Sequence, residues 1–329
     1  MNIRHAKTCL LGVLALCLLA SFGAGRMNMY WLNNCYDIGI GIVMAVSLNL
    51  INGYTGQFSL GHAGFMAVGA YTAAIITNQF GELNVFAANG VFALALFAGG
   101  LTAAVAGLAV GIPTLRLRGD YLAIVTLGFG EIIRVILQNV QYVGGARGLS
   151  VAHGWTNFFW AFGLAAMTVY VVAALVNSTY GRGFIAVRDD EVAAEAMGIN
   201  TTKYKVSAFV VGAFFAGIAG GLYAHSKQFL TPSGFGFMQS ITFVVMVILG
   251  GMGNNIGVII AAVLLTLLPE GLRMVAGIEH LPGLTTYRPL GWIGETRMIL
   301  YSLLLIVLML VRPQGLFSLK KNSQLKIKS

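Results

Sequence analysis

The chain has 329 residues, of which 57% are hydrophobic and only 9% charged, where an ordinary soluble domain carries roughly a quarter charged residues. That balance excludes a soluble globule. The formal net charge of +9 does not indicate a nucleic-acid partner either, because the basic residues are scattered over short segments and a C-terminal tail, "LKKNSQLKIKS", with no basic helix or aromatic stacking platform.

A helix needs about 20 apolar residues to cross a bilayer core of ~30 Å, and apolar runs of that order recur along the whole sequence. The expected fold is an all-α integral membrane protein, one transmembrane domain over residues 1–329 with about ten spans. They are placed at 8–24, 31–51, 58–77, 86–111, 121–140, 156–177, 206–225, 239–252, 256–275 and 298–312. The first follows Arg4, His5 and Lys7 and is read as a retained span, the alternative being a cleaved signal peptide with "ASFGAG" as its small-residue site. Cys9 and Cys17 fall in this run and Cys35 near the start of the next, so neither a CxxC nor a paired framework exists.

With the N-terminus in the cytoplasm, the loops on that side hold Arg4, Lys7, Arg116, Arg118, Arg182, Arg188, Lys203 and Lys205, and the tail 313–329 adds Lys320, Lys321, Lys326 and Lys328 beside Arg312. The other side holds Arg26, Arg147, Lys227, Arg273, Arg288 and Arg297. The larger share on the first side predicts that both termini are cytoplasmic, with an even number of spans.

Residues 53–71, "GYTGQFSLGHAGFMAVGAY", interrupt this greasy sequence. On one reading Ser59, Ala63 and Ala67 form a small-residue stripe at four-residue spacing and the glycines let helices approach. On the other, Gly53 and Gly56 break the helix, and Gln57, Ser59 and His62 line a polar path where exposed backbone is tolerated, with freed N–H groups facing a carboxylate. A second glycine cluster, Gly250–Gly253 in "VILGGMGNNIG", predicts either another broken helix or two full crossings. Each cluster follows a Val-Met pair, at Val43-Met44 and Val245-Met246.

In "PTLRLRGDYLAIVTLGFGEIIR", Pro113 ends one span and Asp120 favours the positive end of the next helix. Glu131 and Arg134 lie a turn apart inside that span, where ionisable groups are costly. They form either a self-neutralising structural pair or a lining of the path or of a subunit interface.

The segment 178–205, "STYGRGFIAVRDDEVAAEAMGINTTKYK", is the one sizeable polar island. Asp189 or Asp190 can cap a short helix through Glu191, Ala193, Ala194 and Glu195, and Gly198 can stop it. Such a helix, outside the membrane, suits docking to a cytoplasmic partner, its alanines allowing close approach and its charges giving register. A plain solvated connection is the alternative. Farther on, Ala216, Gly217, Ala219, Gly220 and Gly221 suit close helix packing, and His225 after them is read as an interfacial residue. Residues 276–297 form a polar segment on the opposite side that suits a binding protein or an exposed loop.

Taken together and in order, these motifs resemble the permease subunit of bacterial branched-chain amino acid ABC transporters, of the LivM type, over about residues 35–312. The resemblance implies a multi-pass protein of the bacterial inner membrane with no cofactor, no metal and no catalytic residue of its own. It further implies a second permease as heterodimer partner, two ATP-binding cassette subunits and a periplasmic amino-acid-binding protein, with leucine, isoleucine or valine as cargo. Segment 189–198 then corresponds to the EAA loop, whose Glu-Ala-Ala, three residues, Gly pattern is matched by Ala193, Ala194 and Gly198. Val192 stands where the pattern has Glu, Glu191 lies one place earlier, and the later Leu-Pro is absent.

The chain has no GxxxxGK[ST], so nucleotide hydrolysis would belong to partners. Related permeases carrying urea, amides or other amino acids are one alternative. A stand-alone ion-coupled transporter is another, but Glu131 is its one convincing carboxylate. A membrane enzyme would need clustered His, Asp or Cys, which five scattered histidines do not supply.

Overall fold

The computed structural model describes residues 28–81, 84–114 and 119–277, with scattered positions between 10 and 21 and between 302 and 310. The expected first and last spans, the polar segment 276–297 after Gly277 and the basic tail lie outside the continuously described residues.

The described chain is almost entirely helical. Its elements are α1 (Met29–Asn49) with a π-helical turn (Leu50–Tyr54), α2 (His62–Asn78), α3 (Val85–Thr114), α4 (Asp120–Asn139), α5 (Phe158–Val176), α6 (Thr179–Asp189), α7 (Glu191–Ala196), α8 (Thr201–Lys227), α9 (Phe237–Gly250) and α10 (Asn255–Gly277). A two-residue antiparallel ribbon pairs β1 (Leu149–Ser150) with β2 (Phe229–Leu230), Leu149 opposite Leu230. Among the described residues, seven helices are long and apolar enough to cross a membrane. The protein is a multi-pass, all-α membrane protein. Eight of the expected spans fall in the described residues; seven overlap these helices, and the span expected at 58–77 overlaps the shorter α2.

Glycine sets the packing at the centre. A Cβ on Gly69 would overlap the backbone of Gly217, one on Gly217 would come 2.5 Å from the Gly99 carbonyl, and one on Gly220 would overlap Met66 O. Thus α2, α3 and α8 meet backbone to backbone, which is how helices gain dispersion contacts where lipid supplies no hydrophobic drive. Burial falls outward from this centre. In the spans, α1 is 78% buried and α8 67%, while α4 is only 17% buried. The outer faces of α4 and its like are apolar, as lipid or another subunit would require.

His225 closes the far end of the bundle. It bonds Gly221 O (2.8 Å) and Thr77 Oγ1 (3.0 Å) and packs against the rings of Phe92 and Trp155. It is a buried packing residue in the last turn of α8. At that same end Lys227 Nζ pairs with Asp37 Oδ2 at 2.8 Å.

One expectation is corrected. The span foreseen from residue 58 starts at His62, because 55–61 is not helical. Ser59 consequently lies off the helix, and the small-residue stripe is Ala63, Ala67, Ala70 and Ala74, all fully buried. The second glycine cluster separates two helices, α9 and α10, joined by a tight turn.

Candidate functional site

The chain reverses out of α1 through a π-turn, and the backbone groups this frees are held by side chains from elsewhere. Ile51 O accepts both Thr55 Oγ1 (2.7 Å) and the Gln57 amide (3.1 Å). Asn52 brackets Ser59, its Oδ1 accepting the Ser59 amide at 3.2 Å and its Nδ2 donating to Ser59 O at 3.5 Å. Thr126 of α4 accepts the Leu60 amide (3.1 Å), and Ser240 of α9 accepts the Ala63 amide (3.3 Å), which caps α2 from another helix. Irregular backbone inside a membrane bundle survives only when satisfied in this way.

Gln57, Ser59 and His62 are all buried, at 3%, 0% and 0% exposure. Ser47 directs its hydroxyl hydrogen to Met44 O (3.0 Å), which leaves His62 Nε2–H to donate to Ser47 Oγ (2.9 Å). Both amide atoms of Gln57, Ser59 Oγ and His62 Nδ1 are buried with no hydrogen-bond partner among the described residues. Leaving such a group unpaired costs about 1–3 kcal/mol, so this segment is held in place against its own polarity.

The two glycine clusters meet. Asn49 Oδ1 accepts the Gly253 amide and Asn49 Nδ2 donates to Asn255 Oδ1, both at 2.9 Å. A Cβ on Gly53 would overlap Asn49 Oδ1 and the Gly253 nitrogen, so the backbones touch with no room for a side chain. Gly251 and Gly253 take φ of 94° and 82°, a left-handed region that favours glycine. Arg188, at the end of α6, lies under this crossing. Its Nη1 approaches Gly53 O at 3.5 Å, its Nε and Nη2 hold Asp189 Oδ1 at 3.1 and 3.0 Å, and its stem packs on Gly56.

Beyond Arg188 the polar island forms the expected short helix. Asp190 Oδ1 accepts the Val192 and Ala193 amides at 2.9 and 3.0 Å. The helix ends in a Schellman motif, with the Gly198 amide on Glu195 O (2.9 Å), the Ile199 amide on Ala194 O (3.0 Å) and Gly198 at φ 80°. Both glutamates of this helix are engaged within the chain. Glu191 Oε1 pairs with Lys205 Nζ at 2.6 Å, Lys205 being only 7% exposed, and Glu195 Oε1 accepts Thr201 Oγ1 at 2.7 Å. Ala194 is buried, while Val192 and Met197 stand out at 62% and 81% exposure.

Glu131 and Arg134 do form a pair, Nε and Nη2 both 2.6 Å from Oε2, and their side chains remain about a third exposed. They sit on the least buried span, away from the glycine crossing and next to Gly236 at the start of α9. Sequence reasoning missed Asn49, Asn52, Thr126, Ser240 and Arg188. Asking which polar residues would satisfy a broken helix points to the first four.

A model of the family described as "Branched-chain amino acid transport system / permease component" matches residues 30–310. The chain belongs to this family. The permease is 35% identical to the high-affinity branched-chain amino acid transport system permease protein LivM of Salmonella typhimurium, with 88% of this chain and 70% of that protein covered. It is 34% identical to the Escherichia coli LivM over the same shares. Among solved structures, PsaBC from Streptococcus pneumoniae in complex with Fab covers 89% of the permease and 95% of that chain, at 14% identity and a TM-score of 0.45. That likeness is too slight to bear on fold or function.

Proposed function

We propose that this permease is the LivM-type subunit of an ATP-driven importer of leucine, isoleucine and valine. The similarity to two LivM proteins over most of the chain carries this reading. The permease supplies half of a translocation path in the bacterial inner membrane and has no chemistry of its own. A second permease completes the path, two ATP-binding cassette subunits hydrolyse ATP, and a periplasmic amino-acid-binding protein delivers cargo. About ten spans with both termini in the cytoplasm suit the distribution of Arg and Lys, and the tail 313–329 is a basic cytoplasmic extension.

Segment 178–205 is the coupling loop in this reading. Asp190 and Gly198 define its helix, Ala193 and Ala194 keep it slim, Glu191 and Glu195 tie it to α8, and Asp189 holds Arg188. The docking surface includes the exposed apolar side chains Val192 and Met197, so the ATPase groove that receives them is apolar. The exposure of two large apolar side chains on an otherwise polar island supports this assignment.

Gly53, Gly56, Gln57, Ser59 and His62 form a hinge segment that lines the path when it opens. Their buried unpartnered polar atoms support this, because those groups gain most from meeting a polar cargo or water. The Glu131–Arg134 pair faces the second permease. Its exposure on an otherwise apolar span supports that placement, since charges are costly against lipid.

Uptake of labelled leucine, isoleucine and valine by cells with the gene deleted and restored tests the cargo. Loss and recovery of these three is expected. Recovery of labelled urea or short amides instead would reject the cargo assignment.

A further inference from the structure

We propose that Arg188 is the positioning residue through which the α6–α7 elbow acts on the crossing of the two glycine turns; this rests on the importer reading. The elbow behaves as one unit with the start of α8. Phe184 of α6 is fully buried in a cluster with Tyr180 and Tyr204, Tyr180 Oη donates to Ser207 Oγ at 3.0 Å, and Lys205 holds Glu191 of α7. A displacement of α7 is therefore carried into α6 as a whole, because packed elements move as bodies and do not deform continuously.

Arg188 is where that unit reaches the membrane-spanning breaks. A Cβ on Gly56 would come 3.0 Å from Arg188 Cγ, and one on Gly253 would come 3.3 Å from Arg188 Nη1 and 3.4 Å from Gly53 O. Arg188 thus lies beside both glycine turns, its Nη1 3.5 Å from Gly53 O and on the side of Gly253 where a Cβ would stand, while its Nε and Nη2 hold Asp189 on the elbow. Gly53 O lies in the π-turn at the C-terminal end of α1, where carbonyls are left over and positive charge is favoured. The planar fork of Arg can face two partners at once, which the single ammonium of Lys cannot do. Moving the elbow shifts this fork and so biases how the α1 break sits on the α9–α10 turn.

The test uses the complete complex in proteoliposomes, comparing wild type with Arg188→Gln and Arg188→Lys. Three readouts are taken: ATPase subunits retained on purification, basal ATP hydrolysis, and the hydrolysis and leucine uptake stimulated by loaded binding protein. For Arg188→Gln, retention and basal hydrolysis are expected to stay unchanged while stimulated hydrolysis and uptake fall about tenfold, an ordinary coupling between two sites. Arg188→Lys is expected to fall between, and it carries the test alone if the Gln variant does not assemble. Stimulated hydrolysis and uptake unchanged in the variants would overturn the proposal, as would loss of ATPase subunits from the Lys variant, which would make Arg188 a docking residue. A wild-type complex that moves leucine without ATP would instead reject the importer reading.

Discussion

Asn49 Oδ1 accepts the amide hydrogen of Gly253 at 2.9 Å, and through that bond the end of α1 is fastened to the turn between α9 and α10. Both partners lie at helix breaks, so each satisfies a backbone or side-chain group that a continuous helix would have no need to satisfy. The Gly53 and Gly253 backbones touch beside this bond.

Gly53→Ala is expected to prise this crossing open. The added methyl overlaps Asn49 Oδ1 and Gly253 N, and overpacking of this kind costs about 1–3 kcal/mol. Thermal unfolding of the purified protein should show a clear loss. Gly90→Ala, in α3 with nothing within 4 Å of the new Cβ, should be neutral or slightly stabilising. Equal behaviour of the two variants would contradict the packing account.

How much of this was legible follows from where each determinant lies. Helices such as α3, α5 and α8 are long apolar runs and can be read directly, because their length alone meets the need of the bilayer. The short α7 was legible from a cap, helix formers and a terminal glycine, all local signals. The two glycine clusters were visible singly, but their contact is tertiary and no local pattern encodes it. The start of α2 was misplaced for the same reason: Asn52, Thr126 and Ser240 hold residues 59–63 from three other elements. The inward turn of Glu191 and Glu195 depends on Lys205 and Thr201, 14 and 6 residues away, and no local pattern encodes either pairing.

Breaking the Lys205–Glu191 pair should loosen α7 without unfolding the bundle. Lys205→Met removes a nearly buried charge-assisted bond and is expected to cost about 1–3 kcal/mol locally. Hydrogen exchange at 191–199 should quicken while α2 and α8 beyond residue 208 stay protected. The swap Glu191→Lys with Lys205→Glu should recover part of the protection.

Gly198→Ala tests conformation in isolation from space. Nothing lies within 4 Å of a Cβ there, yet φ is 80°, and the left-handed region costs a non-glycine residue about 1–2 kcal/mol. Weaker recovery of ATPase subunits on copurification is expected, with Gly198→Asn milder than Ala because Asn tolerates this region. Val192→Asp, which places a charge on an exposed apolar side chain, should reduce recovery more than the small change Ala196→Ser.

For the Glu131–Arg134 pair, the single change Glu131→Gln should be worse than the double change Glu131→Gln, Arg134→Gln. The single change leaves an unpaired cation in the span, a burden of about 2.5–3.5 kcal/mol at mid-membrane. Yield of the complex with the second permease is the measurement, and the double variant should recover toward wild type.

In the proposed function this permease moves branched-chain amino acids only as part of an ATP-driven assembly. Reconstituting it in proteoliposomes, alone and then with the second permease, the ATPase subunits and the binding protein, measures that most directly. Labelled leucine is predicted to enter only with the full set and ATP, and uptake by the chain alone under a proton or sodium gradient would contradict the account.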